Sequence, residues 1–337
     1  MTFEIVRTLD KDIWREYLNQ NPDANIFHSP EFFDLLTVVK GYEPQLWAAV
    51  NQAGQPLALL TPVEVTLMDG IMSRLTTRLI AYGGLLYTKS DEGRAALAAL
   101  LQAYTKSGGQ GALFTELRNL VDMSDVDHIL QRHGFELEGH LNYLINLNRP
   151  AEDVMQSIGK RTRKQIRRGL RQAKVVVSEV SRRDELGEWF ELLQRTYSAA
   201  QVPLSDSSLF EAAFDILHPY GMIKLMTARV EDKLVSCSAE LIFKDIIYGW
   251  YSGTDRAYAS FVPNELLMWN VLEWGVAHDY RVYDFGGAGK PDEEYGVRDF
   301  KAKFGGDLVN YGRHTFVHSP KLLKLSKQGY ELYRRFL

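Results

Sequence analysis

The chain has 337 residues, of which 45% are apolar and 24% are charged, and its formal net charge at pH 7 is −4. This composition is ordinary for a globular protein and excludes a disordered or fibrous chain, and the length suits two domains better than one. The slightly acidic balance also excludes a general nucleic-acid coat, so DNA is not an expected partner.

A single cysteine and the lack of long apolar runs narrow the cellular setting. Cys237 has no second cysteine to pair with, which excludes an internal disulfide and a cysteine-rich zinc site. The opening residues MTFEIVRTLDKDIW lack the basic and apolar regions of a signal peptide, and no run approaches 18 apolar residues. We therefore expect a cytoplasmic protein. His314 and His318 lie on a predicted strand that separates them by about 13 Å, so no metal site is expected.

The first half of the chain predicts a mixture of helices and strands. Helical patterns at 11–20 and 29–40 come first, and a strand–turn–strand pattern at 44–65 follows them. The chain then predicts a strand at 78–87, a helix at 91–107 with Ser90 as its N-cap, and a strand at 112–118. A further helical piece and a last strand complete this half. The alternation is typical of an α/β domain with a mixed sheet.

The second half repeats this order of elements. Helical patterns at 183–197 and 206–217 precede a hairpin at 222–243 and a strand at 245–253. A helix at 263–279 and a strand at 282–287 follow. Each half therefore reads ααβββαβαβ, and Pro150 punctuates the chain between them. We predict an α/β fold with mixed sheets in two similar tandem domains, residues 1–149 and 150–337. The alternative is two unrelated domains that share a common rhythm.

The second domain opens with the most basic stretch of the chain, SIGKRTRKQIRRGLRQAK at 157–174. Apolar residues recur every three or four positions, which predicts a helix, and Gly159 and Gly169 weaken it enough to favour two short pieces. No acid lies within the stretch, and its eight cations are Lys160, Arg161, Arg163, Lys164, Arg167, Arg168, Arg171 and Lys174.

Three interpretations of the basic stretch remain open. It could be a solvated helix face, although eight like charges repel one another. It could bind the phosphates of an RNA or of a nucleotide-linked substrate, because arginine forks match phosphate oxygens. It could also adhere to an anionic bilayer, but the apolar seam lacks Trp and Phe. The candidate phosphate ligands are Arg161, Arg163, Lys164, Arg167 and Arg168.

A second dense stretch, YDFGGAGKPDEEYGVRDFKAKFGG, occupies 283–306. A predicted strand ends at Asp284 and Phe285, and three glycines then allow a tight turn. Loops at the carboxyl ends of strands are where α/β sheets bind ligands, although an ordinary surface turn is the alternative. The glycine spacing is not that of a dinucleotide-binding fingerprint. No nucleophile elbow or zinc-protease motif occurs elsewhere in the chain.

Three segments together resemble the Fem-type (FemABX-like, BioF2-like) transferases of the wider GNAT superfamily. They are the basic stretch that opens the second domain, YDFGGAG after a strand, and FKAKFGG at 300–306 before a final strand; NIFHSPEFFDLL near the start also fits. The resemblance covers nearly the whole chain. It implies two GNAT-like domains and the transfer of an aminoacyl or acyl group to an amine. In the Fem ligases the donor is an aminoacyl-tRNA and the acceptor is a peptidoglycan precursor.

The resemblance also assigns residue roles. It implies that Lys301 acts at the transfer centre, where its ammonium stabilises the negative charge that develops on the carbonyl oxygen. Their positions in the sequence suggest that Asp284 orients or deprotonates the amine and that Tyr251, on the predicted strand at 245–253, supplies a hydroxyl. Arg298 in the same loop and Lys40, the nearest lysine after the opening aromatic Phe33, are further candidate binding residues.

Cofactors and partners follow from the same resemblance. No tightly bound cofactor is expected, and the co-substrate is either an aminoacyl-tRNA or an acyl-coenzyme A. No glycine lies between Gly253 and the predicted helix at 263–279, which disfavours the family's usual coenzyme A cradle. The expected acceptor is a nucleotide- or lipid-linked amine in cell-envelope or polysaccharide metabolism, with peripheral contact to the inner membrane face. An acyl-coenzyme A-dependent N-acyltransferase and a non-catalytic module for RNA or anionic lipid are the alternatives.

Overall fold

The computed structural model describes residues 2–66, 70–109 and 111–334. The helices are α1 Lys11–Gln20, α2 Pro30–Thr37, α3 Asp91–Ser107, α4 Asp127–Arg132, α5 Ala151–Ser157, α6 Lys160–Gln172, α7 Leu186–Ala199, α8 Ser208–Leu217, α9 Pro263–Ala277, α10 Gly296–Ala302 and α11 Pro320–Arg334.

The strands are β1 Glu4–Val6, β2 Tyr42–Pro44, β3 Trp47–Val50, β4 Pro56–Leu60, β5 Val63–Val65, β6 Arg78–Ala81, β7 Leu85–Tyr87, β8 Phe114–Arg118, β9 Glu136–Glu138, β10 Leu141–Asn146, β11 Val175–Glu179, β12 Ile223–Val230, β13 Lys233–Phe243, β14 Ile246–Thr254, β15 Val282–Gly287, β16 Asp307–Asn310 and β17 Arg313–Val317.

These elements form two compact units. The first consists of the residues up to Gly139 and from Tyr311 on, and the second of His140–Asn310. In the first unit, one sheet has the strand order β1-β3-β4-β7 and another the order β2-β5-β6-β8-β17-β9. Helix α3 packs on β3 and β4, where Trp47 and Tyr104 meet edge to face. Ser90 caps α3 by accepting a hydrogen bond from the backbone N–H of Gly93, as the sequence predicts.

The second unit contains a single seven-stranded sheet with the order β11-β12-β13-β14-β15-β10-β16. Helices cover both of its faces, because alternate residues of a strand point in opposite directions. On β13, Ser236 Oγ donates to Asn264 of α9, whereas the next residue, Cys237, contacts the carbonyl oxygen of Trp189 in α7. The core beneath α9 includes Leu267 and other buried apolar residues.

One strand pair in the second sheet is parallel, and it positions the site described below. Strands β14 and β15 run parallel from Ile246 and Val282 up to Tyr248 and Asp284. After Tyr248, β14 pairs with β13 but no longer with β15. A bulge also shifts the β13–β14 pairing between Ala239 and Glu240. A bulge bends its strand and re-aims the neighbouring side chains. The two parallel strands therefore part on their carboxyl side and leave a cleft.

The compact units do not coincide with the predicted division at residues 149 and 150. Strand β10 pairs with β15 and β16, which places it in the second unit, although the sequence pattern makes it the last strand of the first half. Strand β17 pairs with β8 and β9 in the first unit. Hydrophobic periodicity defines strands but carries no information about such long-range pairing, so the order of elements alone does not locate these boundaries.

The basic stretch forms one helix, α6, which runs through Gly169 without a break, so the expected division into two short pieces within 157–174 is wrong. Helix α5 ends at Ser157, and α6 begins after Gly159, which has no side chain to cap it. Thr162 and Ile166 are buried, but Leu170, also expected on the apolar seam, is 51% exposed. Within the described residues, none of the helices is both long and apolar enough to cross a lipid bilayer.

Candidate active site

The cleft where β14 and β15 part has a volume of about 430 Å³. Its walls come from α7, β13, β14, β15, α9 and α10 of the second unit, so side chains from both faces of the sheet reach it. Its lining includes Ser238, Glu240, Gly249, Tyr251, Arg256, Asn264, Tyr283, Gly286 and Lys301.

Lys301 of α10 places its ammonium in this cleft. The side chain is 9% exposed, and Nζ donates hydrogen bonds to the carbonyl oxygens of Phe285 at 2.5 Å, Gly286 at 3.2 Å and Gly287 at 2.8 Å. These carbonyls belong to the end of β15, where the glycine turn leaves the strand. Three acceptors satisfy the three N–H donors of an ammonium, which compensates for its burial.

The electrostatics of Lys301 follow from this environment. Burial lowers the pKa of Lys301 to about 8, and the negative charge of Asp284 opposes that decrease. Lys301 is therefore predominantly a cation at neutral pH. A fixed cation in a cleft with little water interacts strongly with charge that develops beside it.

The carboxylate of Asp284 lies near the charge of Lys301, but it forms its hydrogen bond with the backbone of the glycine turn. Asp284 is 3% exposed, and its Oδ1 accepts hydrogen bonds from the backbone N–H of Gly286 at 2.7 Å and from Asn142 Nδ2 at 3.4 Å. Burial raises the pKa of Asp284 to about 6, while the Gly286 N–H and the Lys301 charge favour its ionised form. The carboxylate holds the turn at the end of β15 and is not among the residues that line the cleft.

Tyr251 of β14 does line the cleft, and its hydroxyl lies 3.2 Å from Ser205 Oγ. Its ring packs edge to face against Phe210 of α8, with centroids 4.9 Å apart. The aromatic packing fixes the hydroxyl in the wall of the cleft. The structure therefore brings Lys301 and Tyr251 to one cavity.

Glu240 is a cleft residue that the sequence argument did not single out. It lies on β13 with 1% exposure, and Tyr283 donates its hydroxyl proton to Glu240 Oε2 at 2.9 Å. Burial raises the pKa of Glu240 to about 7, and the nearby hydroxyl groups of Ser238 and Tyr283 oppose that rise. The signal was present in the sequence, because Glu240 is the one charged residue within the predicted strand LVSCSAELIF at 234–243.

Arg298 supports the loop after β15. Its guanidinium donates to the carbonyl oxygens of Ala288 at 2.8 Å, of Pro291 at 3.4 Å and of Lys290. These contacts connect α10 to the segment that follows the glycine turn. If Arg298 binds a phosphate, as expected from the sequence, the phosphate must share the guanidinium N–H donors with these carbonyl oxygens.

The basic residues of α6 lie on the surface of the second unit. Arg167 pairs with Glu152 of α5 at 2.5 Å, and Arg163, which is partly buried, donates to the carbonyl oxygen of Gln156 at 2.5 Å. The remaining cations on the helix, Lys160, Arg161, Lys164, Arg168 and Arg171, are exposed. The helix packs on α9, where Gly169 meets Leu266. Lys40 is exposed in the first unit, between α2 and β2, and is not part of this surface.

Two other candidates have structural partners. His314 bonds to Asp127 at 2.9 Å and His318 to Thr115 at 2.7 Å, both in the first unit. Cys237 is fully buried, and burial raises the pKa of its thiol far above the usual range, which suppresses the nucleophilic thiolate. Within the described ranges, no group of three His, Cys, Asp or Glu side chains is arranged to hold a metal ion.

Comparison with protein families identifies the domain that contains this cleft. Residues 160–301 match the model of the acetyltransferase (GNAT) domain. The matched segment begins at the first residue of α6 and ends at Lys301, and it contains all of the residues that line the cleft. A search of curated proteins by sequence gives no match.

Solved structures resemble the whole chain. The crystal structure of FemX superposes with a TM-score of 0.74 and 16% identity, covering 96% of this chain and 99% of that one. L-PGS from Bacillus licheniformis gives 0.59 and 12% identity, with 96% and 97% coverage. A tandem GNAT protein from the clavulanic acid biosynthesis pathway gives 0.55 and 12%, with 95% and 100% coverage. The predicted α/β fold with tandem GNAT-like domains is confirmed.

Proposed function

We propose that this chain, whose residues 160–301 match a GNAT domain and whose fold resembles that of FemX, transfers an aminoacyl or acyl group to an amine used in building the cell envelope and so forms an amide. The reaction takes place in the cleft between β14 and β15. The observation that carries this proposal is the buried ammonium of Lys301 in that cleft.

The chemistry requires stabilisation of a developing oxyanion. A neutral amine attacks the carbonyl carbon of an ester or thioester, and negative charge develops on the carbonyl oxygen. Lys301 stabilises that oxygen when its weakest hydrogen bond, the 3.2 Å contact with Gly286, is exchanged for the reacting oxygen. The bonds to Phe285 and Gly287 keep the ammonium in place during this exchange. No covalent enzyme intermediate is needed.

The donor is an aminoacyl-tRNA in the first form of the proposal. Helix α9 begins without a side-chain cap, and Asn264 in its first turn lines the cleft. Uncapped N–H groups at a helix start favour phosphate oxygens. Helix α6 packs on α9, so its exposed arginines supply positive charge on the same unit. Together they suit a polyanionic donor whose reactive end enters the cleft.

An acyl-coenzyme A is the second candidate donor. The match to an acetyltransferase domain model across 160–301 favours it, because such domains typically use that co-substrate. The same helix start would then meet the diphosphate of coenzyme A, although the turn before it lacks glycine and Val262 adopts a left-handed conformation with φ of 52°. The acceptor in either form is a nucleotide- or lipid-linked amine.

A turnover screen tests the proposal. Purified protein is incubated with a set of charged tRNAs and a set of acyl-coenzyme A thioesters, each against amines that include nucleotide-linked and lipid-linked amino sugars and peptides. Amide formation is followed by mass spectrometry. The proposal requires at least one pair that turns over and whose rate falls in Lys301→Met. Full activity in that variant, or binding of RNA and lipid without any transfer, would overturn it.

A further inference from the structure

Glu240 presents a buried carboxyl group to the cleft. Among the residues that the structure describes, it forms no ion pair, and its oxygen Oε2 is held by a neutral hydroxyl. A carboxylate buried without a cation is costly to a fold, so a purely structural role would be served better by an apolar side chain. The position of this carboxyl group in the wall of the reaction cleft calls for a chemical explanation.

The partner of Glu240 reaches it by crossing a neighbouring strand. Tyr283 lies on β15 opposite Ile247 of β14, and its hydroxyl extends past Gly249 to Glu240 on β13. Gly249 pairs directly with Glu240 in the sheet. A Cβ atom at Gly249 would lie 2.5 Å from Tyr283 Oη, so glycine at this position is what lets the hydroxyl pass. The three residues form one arrangement at the point where the strands part.

The other polar groups around Glu240 leave it available to a ligand. Ser238 Oγ, two residues earlier on β13, is buried and has no hydrogen-bond partner of good geometry among the described residues. Lys224, opposite Glu240 on β12, is paired instead with Glu179. The titratable or charged groups that line the same cleft from other elements are Tyr197, Tyr251, Arg256, Tyr283, Tyr295 and Lys301, and α9 contributes Asn264, Leu267 and Met268.

We propose that Glu240 is the general base that takes the proton from the attacking amine, and that Tyr283 is the positioning residue that orients its carboxylate. This inference rests on the proposed function, since it concerns the same cleft and the same transfer. Glu240 and Lys301 then divide the chemistry: the carboxylate acts on the nucleophile and the ammonium on the carbonyl oxygen.

The step balances without any further reactant. The amine nitrogen forms a bond to the carbonyl carbon, the carbonyl electron pair moves onto oxygen beside Lys301, and one N–H proton passes to Glu240. When the C–O or C–S bond of the donor breaks, the leaving oxygen or sulfur takes that proton from Glu240. The products are an amide and the free alcohol or thiol, and nothing is oxidised or reduced.

The acid–base properties of Glu240 suit this role. Burial raises its pKa to about 7, so the group can both accept and return a proton near neutral pH, where general acid–base catalysis is most efficient. The Tyr283 hydroxyl favours the ionised form and so limits the rise. Asp284, which the sequence suggested as the base, is engaged by Gly286 and Asn142 instead.

Kinetics of two conservative variants test the assignment. Glu240→Gln keeps the shape of the side chain and an acceptor for Tyr283, and we expect kcat/KM to fall about 10²–10⁴-fold. Tyr283→Phe removes the bond that favours the carboxylate, so the rising limb of the pH–rate profile should move to higher pH with a smaller loss at its plateau. A structural role for either residue would lower activity equally at every pH.

The nucleophile provides a second test. With acetyl-coenzyme A and alanyl-tRNA as donors, hydroxylamine and methylamine are compared as acceptors. Hydroxylamine is much less basic than methylamine, so the N–H proton of its adduct is more acidic and leaves more readily without a base. Glu240→Gln should therefore lose far more activity toward methylamine. An equal loss toward both amines would overturn the assignment.

A measurement without substrate keeps the assignment testable if neither probe reacts. Carbon-13 labelling of glutamate carboxyl carbons gives an NMR signal for Glu240, identified by its loss in Glu240→Gln. The signal should titrate near neutral pH, well above the exposed glutamates. A carboxyl group that titrates with them, or that stays protonated into strong alkali, would overturn the role. If Lys301→Met abolishes transfer but Glu240→Gln does not, only this inference fails and the proposed function stands.

Discussion

The Nζ atom of Lys301 lies 3.2 Å from the carbonyl oxygen of Gly286, and this is the longest of the three hydrogen bonds that hold the ammonium. All three N–H donors have acceptors in the backbone at the end of β15. A reacting oxygen must therefore replace one acceptor, and the Gly286 carbonyl is the one whose loss costs least. In the proposed mechanism the same side chain shapes the turn and stabilises the reacting oxygen, and variants can separate the two effects.

Lys301→Met should remove both effects. Three buried carbonyl oxygens lose their donor, so the melting temperature falls, and kcat/KM falls about 10²–10³-fold because the oxyanion loses its cation. Lys301→Arg keeps the charge, but a planar guanidinium cannot reproduce three converging bonds from one nitrogen. We expect it to retain more stability than the Met variant and still lose most of the rate. Steady-state kinetics and thermal unfolding, measured on the same preparations, check both.

Lys303→Met is the matched control for these variants. Lys303 ends the same helix two residues later, is exposed, and lies with Nζ 5.7 Å from the centre of the Phe300 ring. The substitution changes net charge by the same amount as Lys301→Met. A rate loss of similar size in the control would mean that net charge, and not the position of Lys301, is responsible.

The ammonium of Lys301 should also set the alkaline limit of activity. Burial lowers its pKa to about 8, so the fraction that carries the charge decreases as the pH rises through that value. We expect kcat/KM to decline above about pH 8. In Lys301→Arg the decline should disappear, because arginine stays protonated throughout this range. An unchanged alkaline limb in the Arg variant would contradict the assignment.

Local patterns predicted the elements of the second unit well. The strand expected at 245–253 is β14, Ile246–Thr254, and the helix expected to begin at Pro263 is α9. The FKAKFGG motif drew attention to Lys301, and its ammonium lies in the cleft. Hydrophobic periodicity, proline at a helix start and a resemblance in motif order are all local signals, and each is read directly from the sequence.

Long-range relationships account for what the sequence did not predict. Glu240 and Tyr283 are 43 residues apart and meet only because Gly249 leaves a gap between their strands. The position of Asp284 just before the glycine turn suggests a candidate base, and no local pattern indicates that its carboxylate bonds to the backbone of that turn. The places of β10 and β17 in their sheets depend in the same way on pairing between distant segments.

Charge reversal on α6 should weaken binding of a polyanionic donor. Arg168 and Arg171 are exposed, so the double variant Arg168→Glu, Arg171→Glu changes the field of the surface with little effect on the fold. We expect weaker binding of tRNA at every sequence and a shallower dependence on salt, by about one unit of slope for each lost phosphate contact. Fluorescence anisotropy over a range of salt concentrations measures both.

Arg182→Glu provides the comparison for that variant. Arg182 is exposed on the same unit but outside α6, and it pairs with Asp184 at 3.1 Å. The Arg182→Glu variant should leave the salt dependence of tRNA binding unchanged. Arg182→Glu changes the net charge half as much as the double variant, so a loss about half as large would point to net charge alone. Binding of anionic vesicles in place of tRNA would assign the surface to a membrane.

Gly249→Ala should disturb the Tyr283–Glu240 contact without touching either residue. The new Cβ atom would lie 2.5 Å from Tyr283 Oη, so the hydroxyl must move away from the carboxyl group. We expect a loss of stability of about 1–3 kcal/mol from overpacking and a shift of the acidic limb of activity to higher pH. Gly187→Ala is the control: it lies in α7 with no atom within 4 Å of its added Cβ, and it should be neutral or slightly stabilising.

The pH dependence of stability provides a last test of Glu240. Its pKa rises from 4.5 to about 7 on folding, so the folded state binds a proton that the unfolded state has already released. The resulting stabilisation is complete below the unfolded pKa and is lost as the pH rises through the folded one. Relative to Glu240→Gln, the wild-type chain should therefore lose up to about 3 kcal/mol between about pH 4.5 and pH 8. Urea denaturation of both proteins across that range measures the difference, and parallel pH profiles would show that the carboxyl group is ionised in the folded state as readily as in the unfolded one.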